Sequence, residues 1–261
     1  MSEHSRHVVF LPGLKGTEST FEEHTDVSTF TGGNAKAVHD AVVGLGGQFN
    51  LVNYQYGDTN EERFAPFSKM AERAAEEIVR IDPDLIVASS VGAFIALETM
   101  MKTGKSADLL FLMPVYDVIS KAHQLGGAHI KKILDGEADI LPIPVESTEA
   151  GGKAGIFPLG KKHLTDHLAL TEPENNRFAA SMNLDQALAG KGIARVGIIY
   201  ADNDPLCTER EAENLGGIFE WIATESVTIH SLTGGHGVDR TEILSDFVRN
   251  SIVKGYGLRK R

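Results

Sequence analysis

The 261-residue chain predicts a mostly parallel, doubly wound α/β sheet, and three features carry that expectation. Short apolar runs alternate with amphipathic helical patterns, an order that implies right-handed crossovers between parallel strands. Most of the runs are continuously apolar rather than alternating residue by residue, as expected of strands covered on both faces. A hydrophobic content of 42% is enough for one core of ordinary size, and nothing divides the chain into two independent domains.

Strand patterns cover His7 to Pro12, Asn50 to Tyr56, Asp84 to Ser89, Leu109 to Met113, Ala194 to Ala201 and Val227 to Ser231. Helical patterns fill the intervals at Asn34 to Gly46, Phe67 to Ile81, Val91 to Lys102, Thr208 to Ile222 and Asp239 to Val253. In the second helix Met70, Ala74, Ile78 and Ile81 recur every three or four residues, while Glu72, Arg73, Glu76, Glu77 and Arg80 take the other faces. One interval breaks the rhythm, because about 80 residues separate Met113 from Ala194. It carries helical patterns near Val115 to Leu125 and Leu164 to Leu170 around a Pro- and Gly-rich middle, LPIPVESTEAGGKAG. The expectation is a core of residues 1–114 and 191–261, with residues 115–190 inserted as a helical cap over the carboxyl edge of the sheet. No internal repeat or long low-complexity segment interrupts this plan.

Charge and composition exclude several classes of function. A net charge of −11, from 25 basic and 36 acidic residues, opposes binding of nucleic acid or anionic membrane through a broad basic surface. The basic tail, Lys254 to Arg261, reads as a solvated end. The single cysteine, Cys207, excludes an internal disulfide and fits a reducing compartment. The opening MSEHSRHVVFLPG lacks a long apolar run with a cleavage site, and no stretch of about 20 apolar residues occurs elsewhere, so a cytoplasmic protein without a membrane span is expected.

The chemistry is concentrated where DLIVASSVGAFIALETM passes from strand to helix. Strand, sharp turn and helix are the setting of a nucleophile elbow, G-x-S-x-G, and here the five positions are Ala88, Ser89, Ser90, Val91 and Gly92. Small neighbours suit a side chain held in a strained backbone conformation. The alternative is a plain turn in which Ser89 or Ser90 caps the helix. Two later stretches favour the elbow: GIIYADNDPLCTE puts Asp202 and Asp204 just beyond a strand, and SLTGGHGVDR puts His236 in a glycine-flanked loop beyond the next. A serine hydroxyl needs a neutral imidazole to take its proton, and a carboxylate orients that imidazole and stabilises its charged form. Asp204, next to Pro205, is the favoured acid and Asp202 its competitor. The amino-terminal stretch VVFLPGLKGTEST supplies oxyanion donors: the Leu14 and Val91 amides are assigned that role, since Pro12 has no N–H to give. The alternative there is a simple glycine turn.

The order serine, acid, histidine is that of α/β-hydrolases, and the chain resembles them over nearly its whole length. More narrowly, it resembles the fatty acyl transferase of bacterial bioluminescence, an acyl-carrier-protein thioesterase within that superfamily. Ala88 and Ser89 ahead of Ser90, the Ala201, Asn203 and Asp204 stretch, Thr233 to Gly235 before His236, and the cap segment FPLGKKHLTDHL carry the likeness. Two positions depart from what these families carry. Gly92 follows the common esterase pattern instead, and Pro12 stands where α/β-hydrolases commonly have histidine. The resemblance implies a serine acyl hydrolase or transferase acting on a fatty thioester or ester, acyl-CoA or acyl carrier protein among the possible donors, with no metal or organic cofactor.

Within that expectation His236 deprotonates Ser90, the serine oxygen attacks the acyl carbonyl, and water or another acceptor releases the acyl group. Ile140, Leu141, Ile143, Ile156, Phe157 and Leu159 either line an acyl tunnel or pack the cap against the core. Lys131, Lys132, Lys161 and Lys162 either meet an acidic carrier protein or form a solvated face. PGLKGTEST is not a phosphate loop, because Lys15 precedes Gly16. No G-x-G-x-x-G follows the first strand, so no dinucleotide site is expected. His163, Asp166 and His167 lack the H-E-x-x-H pattern and a third metal ligand. The competing class of function is a ligand receptor or scaffold that keeps the three residues without turnover.

Overall fold

A computed structural model of the chain describes residues 6–13, 33–52, 66–117, 140–145, 155–160, 188–204 and 206–235, together with residues 132, 135, 165, 242, 245, 246, 248 and 249. Leu14, Pro205, His163, Asp166, His167, Lys131, Lys161, Lys162 and His236 lie outside the described residues. The elements follow in chain order: β1 (His7–Leu11), α1 (Gly33–Gly44), β2 (Gln48–Leu51), α2 (Phe67–Ile81), β3 (Leu85–Ser89), α3 (Gly92–Thr103) and β4 (Asp108–Leu112). After them come β5 (Ile140–Val145), β6 (Gly155–Gly160), β7 (Arg195–Ala201), α4 (Glu209–Phe219) and β8 (Ser226–Leu232). Among the described residues six strands form one sheet in the order β2-β1-β3-β4-β7-β8, and each of these pairings is parallel.

The unbroken apolar runs are the reason for this arrangement. β3 and β4 are buried at every position, and Val8 to Leu11 of β1 are fully buried, as central strands with both faces covered require. α2 buries Phe67, Met70, Ala71, Ala74 and Ile78 along one stripe and leaves Arg73, Glu76, Glu77 and Arg80 to pair on the outside. Such exposed pairs are worth only about 0.3–0.5 kcal/mol each, so the apolar stripe dominates. The helix ends at Asp82, in the left-handed conformation with φ 52°, just before Pro83. α3 is buried continuously from Gly92 to Met100, which marks it as the central helix of the fold. α4 opens on a capping box in which Thr208 and Glu211 satisfy each other's backbone N–H groups.

Strand β2 begins at Gln48, earlier than the expected Asn50. Of the expected last helix, Glu242, Ser245, Asp246, Val248 and Arg249 are described and helical. The insertion holds a feature that its sequence concealed: ILPIPV and GIFPLG pair as the antiparallel ribbon β5–β6, with Pro142 opposite Pro158. Proline cannot donate to a ladder, but both strands of a ribbon are edges, so three prolines are tolerated in the non-hydrogen-bonded register. Lys132 and Thr165 are helical, whereas Val115, Tyr116 and Asp117 are not, so the expected helix does not begin at Val115.

Two contacts hold the frame that carries the site. The Asp108 carboxylate, at the start of β4, accepts from the Arg195 backbone N–H at 3.1 Å, from Nε at 3.0 Å and from Nη2 at 2.7 Å. This joins the strands on either side of the insertion. Gly92 packs against β1 so closely that an added Cβ would lie 2.3 Å from the Leu11 carbonyl oxygen and 2.8 Å from that of Pro12. Replacing Asp108 with Ala is expected to destabilise the fold by about 2 kcal/mol in urea unfolding, because the Arg195 backbone N–H and its partly buried guanidinium lose this acceptor, and the guanidinium's contact to Glu225 is longer. For Gly92→Ala, a gain of roughly 0.5–1 kcal/mol from helix propensity opposes a backbone clash of about 1–3 kcal/mol or more, so the midpoint should fall. A rise in midpoint would mean that the approach of α3 to β1 is not tight.

Candidate active site

The sheet places its crevice before any side chain is considered. The chain runs from β1 outward to β2 and then returns to build β3 on the other side of β1. The carboxyl ends of β1 and β3 therefore flank the switch point, where open α/β sheets bind ligands. Ser90 stands there, immediately after β3, with φ 53°. A left-handed serine is uncommon and costs about 1–3 kcal/mol, so its surroundings must hold it. They do so with hydrogen bonds of comparable total size: the Ser90 N–H donates to the Leu112 carbonyl at 3.0 Å, and the Ser90 carbonyl accepts from Ala93 at 3.0 Å and Val115 at 2.9 Å. Gly13 completes the fit, since a Cβ there would lie 2.8 Å from the Ser90 Cβ.

Val91 is the N-cap residue of α3, with φ −60° and ψ −19°. Its N–H therefore belongs to the end of the helix whose amides have no intrahelical acceptor, as an oxyanion donor requires. Ser90 itself is 8% exposed and Ser89 5%. The five residues Ala88 to Gly92 thus occupy a strand, a strained turn and the first position of a helix, the arrangement that the sequence pattern calls for.

The two candidate acids have different surroundings. Asp202 is exposed, and its Oδ1 accepts from the Gly234 N–H at 2.9 Å and from Asn203 Nδ2 at 3.1 Å. The loops after β7 and β8 are joined further by Asp202 N–H to Leu232 at 2.9 Å and Asn203 N–H to Gly234 at 3.0 Å. Asp204 is only 4% exposed and accepts from the Leu206 N–H at 2.7 Å. Asp202 thus ties together two loops, and Asp204 is the carboxylate withdrawn from water. The described chain reaches Gly235 on this side and Gly13 on the other, one residue short of His236 and of Leu14.

Sequence reasoning missed two neighbours of the elbow. Asn34, in the first turn of α1, donates from Nδ2 to Ser89 Oγ at 2.8 Å across 55 positions of sequence. Its polar type at a helix start was a visible signal; its partner was not. Tyr116 follows Val115, whose N–H holds the Ser90 carbonyl. Burial, with Asp117, Glu211 and Cys207 adding negative charge, pushes its phenol up to about 12, so near neutral pH it stays protonated and is no base for Ser90.

No protein-family model and no curated protein matches the chain. Solved structures do. The chain is similar to Est1E from Butyrivibrio proteoclasticus, at 12% identity and a TM-score of 0.57, covering 96% of this chain and 88% of that one. It is similar to the metagenome-derived lipolytic enzymes LipS and LipT, at 12% identity and a TM-score of 0.59 with 94% of each chain covered. It is also similar to the monoacylglycerol lipase of Paleococcus ferrophilus, at 10% identity and a TM-score of 0.59, covering 95% of this chain and 94% of that one. At such identities the likeness speaks for architecture alone. The parallel six-stranded sheet and the extent of these matches give one conclusion: the chain has the α/β-hydrolase fold.

Proposed function

We propose that the protein is a serine acyl hydrolase that cleaves an ester or fatty thioester through Ser90, His236 and Asp204. The observation that carries this reading is the left-handed Ser90 at the switch point, packed against Gly13 and followed by Gly92, which lies on the carbonyls that end β1. A helix cap needs no such strain, since capping residues take ordinary extended backbone angles. A serine held on a rigid strand-to-helix turn at the carboxyl edge of the sheet is what a nucleophile elbow needs. Similarity to lipolytic enzymes supports the same class of reaction.

In this mechanism His236 accepts the Ser90 proton as the serine oxygen attacks the acyl carbonyl. The Leu14 and Val91 amides stabilise the oxyanion, each contributing about 3 kcal/mol to lowering the barrier. The protonated imidazole then passes its proton to the departing alcohol or thiol. Water, deprotonated by the same histidine, releases the acyl group from Ser90. Asp204 suits the role of orienting acid because it is buried, whereas Asp202 already holds the Gly234 and Asn203 groups. Preference for a thioester over an oxygen ester rests on the resemblance to the bioluminescence acyl transferase, as do acyl-CoA or acyl carrier protein as donors. Chain-length selection falls to the cap, whose β5–β6 segments carry the apolar residues of the expected tunnel.

Hydrolysis of p-nitrophenyl, acyl-CoA and acyl-carrier esters of graded length tests the reading. Ser90→Ala should lower kcat by at least about 10³-fold while the protein still folds, and Ser89→Ala should remain active. A dead Ser89→Ala beside an active Ser90→Ala would move the nucleophile one residue, and no turnover of any ester by the folded wild type would favour a receptor. Asp204→Asn should cost roughly 10³-fold in kcat and Asp202→Asn less than about tenfold. Equal or reversed losses would reassign the acid.

A further inference from the structure

Two adjacent hydroxyls stand at the elbow, and the structure treats them differently. Ser90 occupies the strained turn. Ser89, the last residue of β3, is 5% exposed and receives the Asn34 amide at 2.8 Å. Asn34 Oδ1 is buried and has no hydrogen-bond partner among the described residues. An amide retained for stability alone would be satisfied on both sides, because a buried unpaired acceptor is destabilising. Among the described residues, Asn34 is satisfied only on the side that faces the elbow.

We infer that Asn34 is a positioning residue for Ser90 that acts through Ser89, a role resting on the acyl-hydrolase reading above. Donation from Nδ2 occupies a lone pair of the Ser89 oxygen and holds its side chain in one rotamer. That makes Ser89 the poorer of the two nucleophiles. It also braces the residue before the turn, whose carbonyl oxygen would lie 3.3 Å from a Cβ on Gly13. Past β1 the chain packs against Ser90 at Gly13, and Asn34 in α1 is bonded to Ser89, so both ends of the β1–α1 connection lie at consecutive residues of the elbow. Alignment of a nucleophile within a fraction of an ångström is worth one to two orders of magnitude in rate, which is the effect available to such a brace.

A double-mutant cycle on ester hydrolysis, with thermal unfolding recorded for each protein, tests the role. Asn34→Ala should lower kcat about tenfold with KM unchanged within about twofold, and its unfolding midpoint should change little, because loss of the bond to buried Ser89 is offset by removal of the unpaired acceptor. Ser89→Ala should give a similar loss, and the double variant should be no worse than either single one. Unchanged kcat in Asn34→Ala, or a double variant whose loss is the product of the two, would overturn the role while the hydrolase reading stands. So would a loss of kcat accompanied by a lowered midpoint, which would mark Asn34 as a structural residue. A wild type that turns over no ester would remove the hydrolase reading and this role with it.

Discussion

Two close approaches around one strained serine, Gly13 to Ser90 and Gly92 to the end of β1, are the constraint around which the molecule is organised. Gly92 brings the start of α3 onto the Leu11 and Pro12 carbonyls, and Gly13 leaves room for the Ser90 Cβ. Without both, the turn could not take its left-handed angle at the mouth of the sheet. The rest of the core serves this point: β1 and β3 pair directly, β4 supplies the Leu112 carbonyl to the Ser90 N–H, and the chain just past β4 supplies the Val115 N–H. Strain at Ser90 is affordable only because buried strands on three sides are too well packed to relax.

Much of this was legible in the sequence, for definite reasons. β3 and β4 are continuous apolar runs that fit only a strand covered on both faces, and their observed limits differ from the expected ones by one residue. Gly92 was legible because a helix that starts beside a strand end leaves no space for a side chain. The proposed acid was legible only as a pair: two aspartates stood beyond β7, and burial distinguishes them, Asp204 at 4% exposure and Asp202 open to water. What separates them is tertiary packing, which no local pattern encodes.

Other features were hidden for reasons equally physical. The β5–β6 ribbon escaped notice because proline argues against a central strand, and the argument lapses for a ribbon in which both strands are edges. The Asn34 to Ser89 bond joins residues 55 positions apart, and an asparagine in the first turn of a helix looks like a local cap. The loops after β7 and β8 are stitched by Asp202, a structural contact that the sequence pattern did not disclose. Fold and chemistry therefore divide cleanly: periodicity specifies the sheet, and close approaches between distant residues specify the site.

The central claim is that the Ser90 oxygen is an activated nucleophile. The most direct measurement is incubation of the folded protein with a fluorophosphonate probe, followed by peptide mass spectrometry. The account predicts a single covalent phosphonyl adduct on Ser90 that is lost in His236→Ala. Absence of an adduct, or an adduct on Ser89, would contradict it.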